Sequence, residues 1–135
     1  MFVQIIYINM SAKTRNITGW VLTGLLAAVF IFSAAMKLSG SKEAIEGAAA
    51  IGISPSNYKI IAGVEILAIL LFIIPRTGVL GTLLLAAYLG GAIATHLEHQ
   101  QSALAPVIIQ SLLWITACVR FPEIYERIAG MNINR

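Results

Sequence analysis

The sequence predicts an all-α fold: a transmembrane four-helix bundle with a short interfacial helix between spans one and two. Three observations predict it. The 135 residues are 59% hydrophobic and only 11% charged, with a mean hydropathy of +0.87, whereas soluble domains average about 45–50% apolar and about 25% charged. The apolar residues fall into four stretches, each of a length that crosses a hydrocarbon core about 30 Å thick. Turn and cap residues separate the stretches, and four spans use most of the chain, which leaves a single transmembrane domain.

Residues 1–15 read as a tail. Met1 to Asn9 is apolar but short, without the basic start and small-residue cleavage site of a signal peptide. Met10 opens a more ordinary beginning, so the first nine residues fit an upstream extension or a start-site artefact. Span one is expected over 17–38, with Trp20 as interfacial anchor and Gly24 and Ala28 as a small-residue pair for close helix approach. Near its end Ser33 and Lys37 share a face at i,i+4.

Lys42 to Ala50 has helix-forming composition with acids near its start, which predicts an interfacial helix ended near Gly52. Ser54-Pro55 is an N-cap followed by proline at the first helical position, opening span two over 55–75. Pro75-Arg76-Thr77 makes a tight turn into span three, 78–97. There Ala86, Gly90 and Ala94 form a ridge of small residues, expected as a packing seam. Tyr88, Ala92, Thr95 and His99 share another face with His96 at its edge. Span four, 103–120, tolerates Pro106 in its first turn, and residues 121–135 read as a polar tail.

Span two holds the residue around which the others are arranged. Between Lys59 and Pro75 every residue is apolar except Glu65. A charge at bilayer depth costs about 2.5–3.5 kcal/mol on insertion scales, so Glu65 needs a donor or a wet cavity. With Lys59 at the interface, Glu65 lies roughly 9 Å below it at about 1.5 Å per residue. Lys37 and His96 lie at the same end of their spans, and Gln110 on span four lies at a depth close to that of Glu65. Lys37, Glu65, His96, Tyr88, Gln110 and Ser33 therefore converge on one expected polar cleft, and the other half of the bundle offers no comparable set.

Basic residues orient the bundle. The side with both termini and the 75–77 turn carries Lys13, Arg15, Arg76, Arg120, Arg127 and Arg135, the other only Lys37, Lys42 and Lys59. The positive-inside rule then makes both termini cytoplasmic and the cleft outward-facing; a bacterial inner membrane is the expected location.

Several function classes lose support. The net charge of +3 comes from basic residues scattered at span ends, not from a phosphate-binding stripe, so nucleic acid is not expected. Cys118 is the only cysteine, which excludes an internal disulfide and a Cys-x-x-Cys pair. His96-x-Glu98-His99 has poor spacing for a tetrahedral metal site, and both histidines share one helix, unlike a bis-histidine haem site, so no metal is expected.

Two classes remain. In one, Lys37 and Glu65 form a structural pair that fixes helix register in a non-enzymatic scaffold or assembly factor. In the other, the cleft takes a small molecule, and a quinone head group, whose two oxygens accept hydrogen bonds, suits it. No covalently bound cofactor is expected. A proton-coupled carrier is disfavoured because four short spans lack inverted repeats. Expected partners are the lipid bilayer, a quinone or lipid-like ligand, a redox partner protein and a second copy of the chain.

The order and spacing of Phe32-Ser33-Ala34-Ala35-Met36-Lys37-Leu38, Gly52-Ile53-Ser54-Pro55, Gly63-Val64-Glu65-Ile66-Leu67, Pro75-Arg76-Thr77-Gly78 and Ala92-Ile93-Ala94-Thr95-His96 resemble the DoxX-like family of small four-span membrane proteins. The resemblance covers about Gly19 to Arg120, and the family's recurrent polar positions fall on Lys37, Glu65 and His96. Ala34 stands where many members carry glycine. Some members are similar to the small subunit of a thiosulfate:quinone oxidoreductase, others are linked to membrane thiol-redox complexes, and distant relatives resemble chaperone or trafficking factors. The resemblance thus implies the four-helix fold more strongly than any reaction. It favours an accessory or quinone-handling subunit of a membrane redox system, with Lys37 and His96 donating hydrogen bonds or protons to a bound oxygen and Glu65 orienting Lys37 or relaying protons.

Overall fold

The computed structural model describes residues 9–130, and what they show is entirely helical. In chain order the helices are α1 (Ala12–Leu38), α2 (Lys42–Ala50), α3 (Pro55–Ile73), α4 (Gly78–Glu98), α5 (Leu104–Arg120) and α6 (Pro122–Ala129). The apolar stretch of residues 1–8 and the end of the polar tail, 131–135, lie outside the described residues.

Serines set the starts of three helices. Ser11, Ser41 and Ser54 each accept a backbone N–H from the third residue on, Thr14, Ala44 and Asn57. Such caps satisfy one of the donors a helix start leaves unpaired. Pro55 follows its cap at a position that needs no N–H. Because Ser11 caps α1, the first helix begins five residues earlier than the expected span, and Ala12 to Arg15 are helical, not tail.

The four long helices form a ring in which α1 and α4 each pack on α3 and α5. On α1 the inward ridge is Gly19, Thr23, Leu26, Phe30 and Ala34, with Ile17, Val21, Leu25 and Phe32 facing out. On α3 it is Ala62, Glu65, Ala68, Ile69 and Phe72, with Ile60, Val64, Leu67 and Leu70 facing out. Steps of three and four on both faces are those of a helix with one side in a protein core. The outward sides are apolar as well, which water would not tolerate over four helices and a bilayer does. Helices α1, α3 and α4 are long and apolar enough to cross a membrane, and α5 meets the same standard only when counted together with α6, a pair bent by 105°. This is an integral membrane protein with the architecture of a four-helix bundle.

The expected seam on α4 is displaced. Of its three residues, Ala86 packs on the core but Gly90 and Ala94 are exposed, and α4 packs chiefly through Gly78, Gly81, Thr82, Leu85 and Leu89. Gly81 allows this: a Cβ there would run into the backbone of Phe72. Residue size alone did not reveal the register, because α4 carries small residues all round. The Gly24–Ala28 pair of α1 also faces outward, with nothing near Gly24.

The polar tail contains α6, whose Ile124 and Tyr125 turn back onto the bundle. The two halves of the bundle differ. At the end near α6, Phe72 and Phe121 pack edge to face at 5.8 Å and, with Leu26, Leu85, Ala117 and Ile124, fill the interior. At the end near α2, α4 and α5 contribute Ala87, Gly91, Ala92 and Ala105, side chains too small to fill it.

Candidate functional site

Those small residues leave a cavity of about 480 Å³, within the range of about 300–1,000 Å³ usual for small-molecule sites. Phe30, Ile53, Ile61, Leu89, Pro106 and Ile109 supply most of its apolar wall. Its polar groups are Ser33 and Lys37 from α1, Tyr58 and Glu65 from α3, and Tyr88, Thr95 and His96 from α4.

Lys37 reaches Glu65 because it continues the inward ridge of α1 one turn beyond Ala34. Its Nζ donates to Glu65 Oε2 at 2.9 Å and also to Ser33 Oγ. The rings of Tyr58 and Tyr88 stand 5.6 and 5.9 Å from the same ammonium, within cation–π range of about 6 Å. Tyr88 also meets Phe30 edge to face at 6.1 Å, which joins the diagonal helices α1 and α4. Glu65 is thus fully buried with a cation, and Lys37 has a carboxylate, a hydroxyl and two aromatic faces around it.

His96 lines the cavity with its Nδ1 2.7 Å from the Ala92 carbonyl of its own helix. His99 repeats that bond to Thr95, but its ring lies against Gly52, where a positive φ of 68° brings the backbone close. It is not part of the cavity wall.

Of the six residues assigned to the cleft, Ser33, Lys37, Glu65, Tyr88 and His96 line this one cavity and Gln110 does not. The wall of α5 is formed by Ala105, Pro106 and Ile109. Gln110 is one residue on, turned by about 100° about the helix axis, and its Oε1 is buried without a hydrogen-bond partner. The azimuth expected for Gln110 is therefore not the one it takes. Tyr58 was missed as a wall residue because a tyrosine at a span end ordinarily marks the interface.

A second polar constellation occupies the opposite end, where none was expected. The Arg120 guanidinium donates to the Phe72 carbonyl at 2.7 Å, to the Ile73 carbonyl, and to Thr23 Oγ1 at 3.4 Å. It stacks 4.2 Å from the Trp20 ring centroid. Helix α3 ends at Ile73, so its last carbonyls lack intrahelical partners, and a cation from α5 caps them. In the sequence Arg120 could not be told from a snorkelling span-end arginine.

The DoxX-like family model matches residues 21–119. The chain belongs to the DoxX-like family. No curated protein and no solved structure matches it. The region matched to the DoxX-like model takes in the whole cavity wall, while Trp20 and Arg120 fall just outside it.

Proposed function

We propose that this DoxX-like protein binds a quinone head group in the cavity between its helices and serves as an accessory, quinone-handling subunit of a membrane redox system. The observation that carries this reading is the Lys37–Glu65 pair on the wall of a mostly apolar cavity within the membrane-spanning region. A buried ion pair that served helix register alone would gain nothing from an adjoining void. Replacing such a pair with apolar residues is often neutral or stabilising. A void beside the pair leaves the third Lys37 N–H room to meet a ligand oxygen. The apolar remainder of the cavity matches a substituted ring, and the outward apolar helix faces match a ligand that arrives through lipid.

In this reading Lys37 donates to one ligand oxygen, Glu65 and Ser33 aim it, and Tyr88 and Tyr58 form the walls. Electrons pass between the bound quinone and a partner protein, since the chain has one cysteine and so no dithiol pair of its own. The distribution of basic residues favours cytoplasmic termini and a cavity mouth on the outer face, as in a bacterial inner membrane.

A benzoquinone with a photoreactive alkyl tail tests the proposal. On irradiation of the purified protein in nanodiscs, it should label peptides carrying cavity-wall residues, and excess unlabelled quinone should compete. Labelling confined to outward residues such as Phe32, Leu67 and Leu83, unaffected by competitor, would leave the pair as a structural device in a scaffold.

A further inference from the structure

The hydrogen-bonding capacity of the cavity is asymmetric. This bears on the redox form of the ligand, and it rests on the quinone reading above. At one end Lys37 has three N–H donors and no acceptor. Glu65 and Ser33 take two of them, so the ammonium offers the cavity one donor. At α4 the situation is reversed. A backbone carbonyl accepts only, so the 2.7 Å contact between His96 Nδ1 and Ala92 O places the ring hydrogen on Nδ1. In the neutral imidazole Nε2 then keeps its lone pair, and it is the ring nitrogen left for the cavity that His96 lines. The hydroxyl nearest His96 in the chain does not cancel the difference at α4: Thr95 Oγ1 donates to the Gly91 carbonyl at 2.8 Å.

A quinone carries two oxygens that only accept. One matches Lys37, and the other would set lone pair against lone pair at His96. The 1,4-dihydroxy form offers at each end an oxygen that accepts and an O–H that donates. We propose that the cavity selects the hydroquinone over the quinone, with one oxygen accepting from Lys37 and the opposite hydroxyl donating to His96 Nε2. His96 is then the specificity-determining residue, and Lys37 is common to both forms.

The test is equilibrium binding of decyl-ubiquinol and decyl-ubiquinone to the full chain in nanodiscs, with the reduced form kept under anaerobic dithionite-free borohydride conditions. The wild type should prefer the quinol by about tenfold, the size expected when one buried hydrogen bond is exchanged for an unpaired group. His96→Phe should remove that preference by weakening the quinol alone, and His96→Gln, which restores an acceptor oxygen, should recover part of it. Equal affinity of the wild type for the two forms, or a His96→Phe effect shared equally by both, overturns the selectivity while the quinone reading stands. If neither form binds the wild type, the quinone reading itself fails, and this inference with it.

Discussion

Lys37 on α1 and Glu65 on α3 meet at 2.9 Å with side chains only 10% and 1% exposed, so each is the other's principal compensation for leaving water. The pair is unequal. Lys37 keeps Ser33 and two tyrosine faces if Glu65 is removed, while Glu65 would lose its ion-pair partner if Lys37 were removed. Lys37→Met should therefore destabilise the protein by about 3–5 kcal/mol, the usual cost of stranding a buried charge. Glu65→Gln should cost less, about 1.5–3 kcal/mol for a hydrogen bond to a charged group. The double variant Lys37→Met/Glu65→Leu should recover most of the stability and bind no quinone. Unfolding midpoints in detergent measure all three, and a Lys37→Met protein as stable as wild type would show that the carboxylate does not depend on its cation.

The α3–α4 hairpin should tolerate no side chain at Gly81. Added atoms would meet the Phe72 backbone, which cannot rotate aside as a side chain can. Gly81→Ala should cost about 1–3 kcal/mol, as overpacking of a close contact does. Gly63→Ala on the outward face of α3 has nothing near it and should be neutral or slightly stabilising through helix propensity. Denaturation in mixed micelles would separate the two, and equal effects would mean the helices do not approach as closely as described.

Arg120 should not be replaceable by lysine. A guanidinium reaches two carbonyls and a hydroxyl in one plane while stacking on Trp20, and an ammonium cannot do both. Arg120→Lys should lower stability by about 1–3 kcal/mol, as lost hydrogen bonds strand the carbonyls. In a Trp114→Phe background the emission of Trp20 reports the stack directly. It should change on Arg120→Lys, and an unchanged spectrum would place the guanidinium elsewhere.

Much of this arrangement was legible in the sequence, for identifiable reasons. Glu65, Lys37 and Ser33 stood out because an apolar helix has few polar residues to choose among, and depth follows from counting along a straight helix. Ser54 and Pro55 announced a helix start because capping is a local interaction. What failed depended on rotation about a helix axis or on a distant partner. Gln110 falls off the cavity-facing side of α5, and of the ridge at Ala86, Gly90 and Ala94 only Ala86 packs on the core, because α4 carries small residues on every face. Arg120 acts on carbonyls 47 and 48 residues away, and nothing near it in the chain signals that. Helix α6 was read as tail because eight residues with three charged side chains are far too short to cross a membrane, yet Ile124 and Tyr125 suffice to dock it.

The orientation of the cavity is testable without any ligand. Ser56 lies at the α3 start, near Ile53 and Tyr58 of the cavity wall, and Ala12 begins α1 at the opposite end; both are exposed and uncharged, so neither substitution alters the charge balance that sets topology. Cys118 is half-buried and must first be removed, as Cys118→Ala. In that background, Ser56→Cys should react with a membrane-impermeant maleimide in intact cells, and Ala12→Cys should react only after the membrane is opened. The reverse pattern would place the termini outside and turn the Lys37–Glu65 cavity toward the cytoplasm. A quinone could then still enter from lipid, but protons bound or released at the site would exchange with the cytoplasmic side, and the redox partner would have to be sought there.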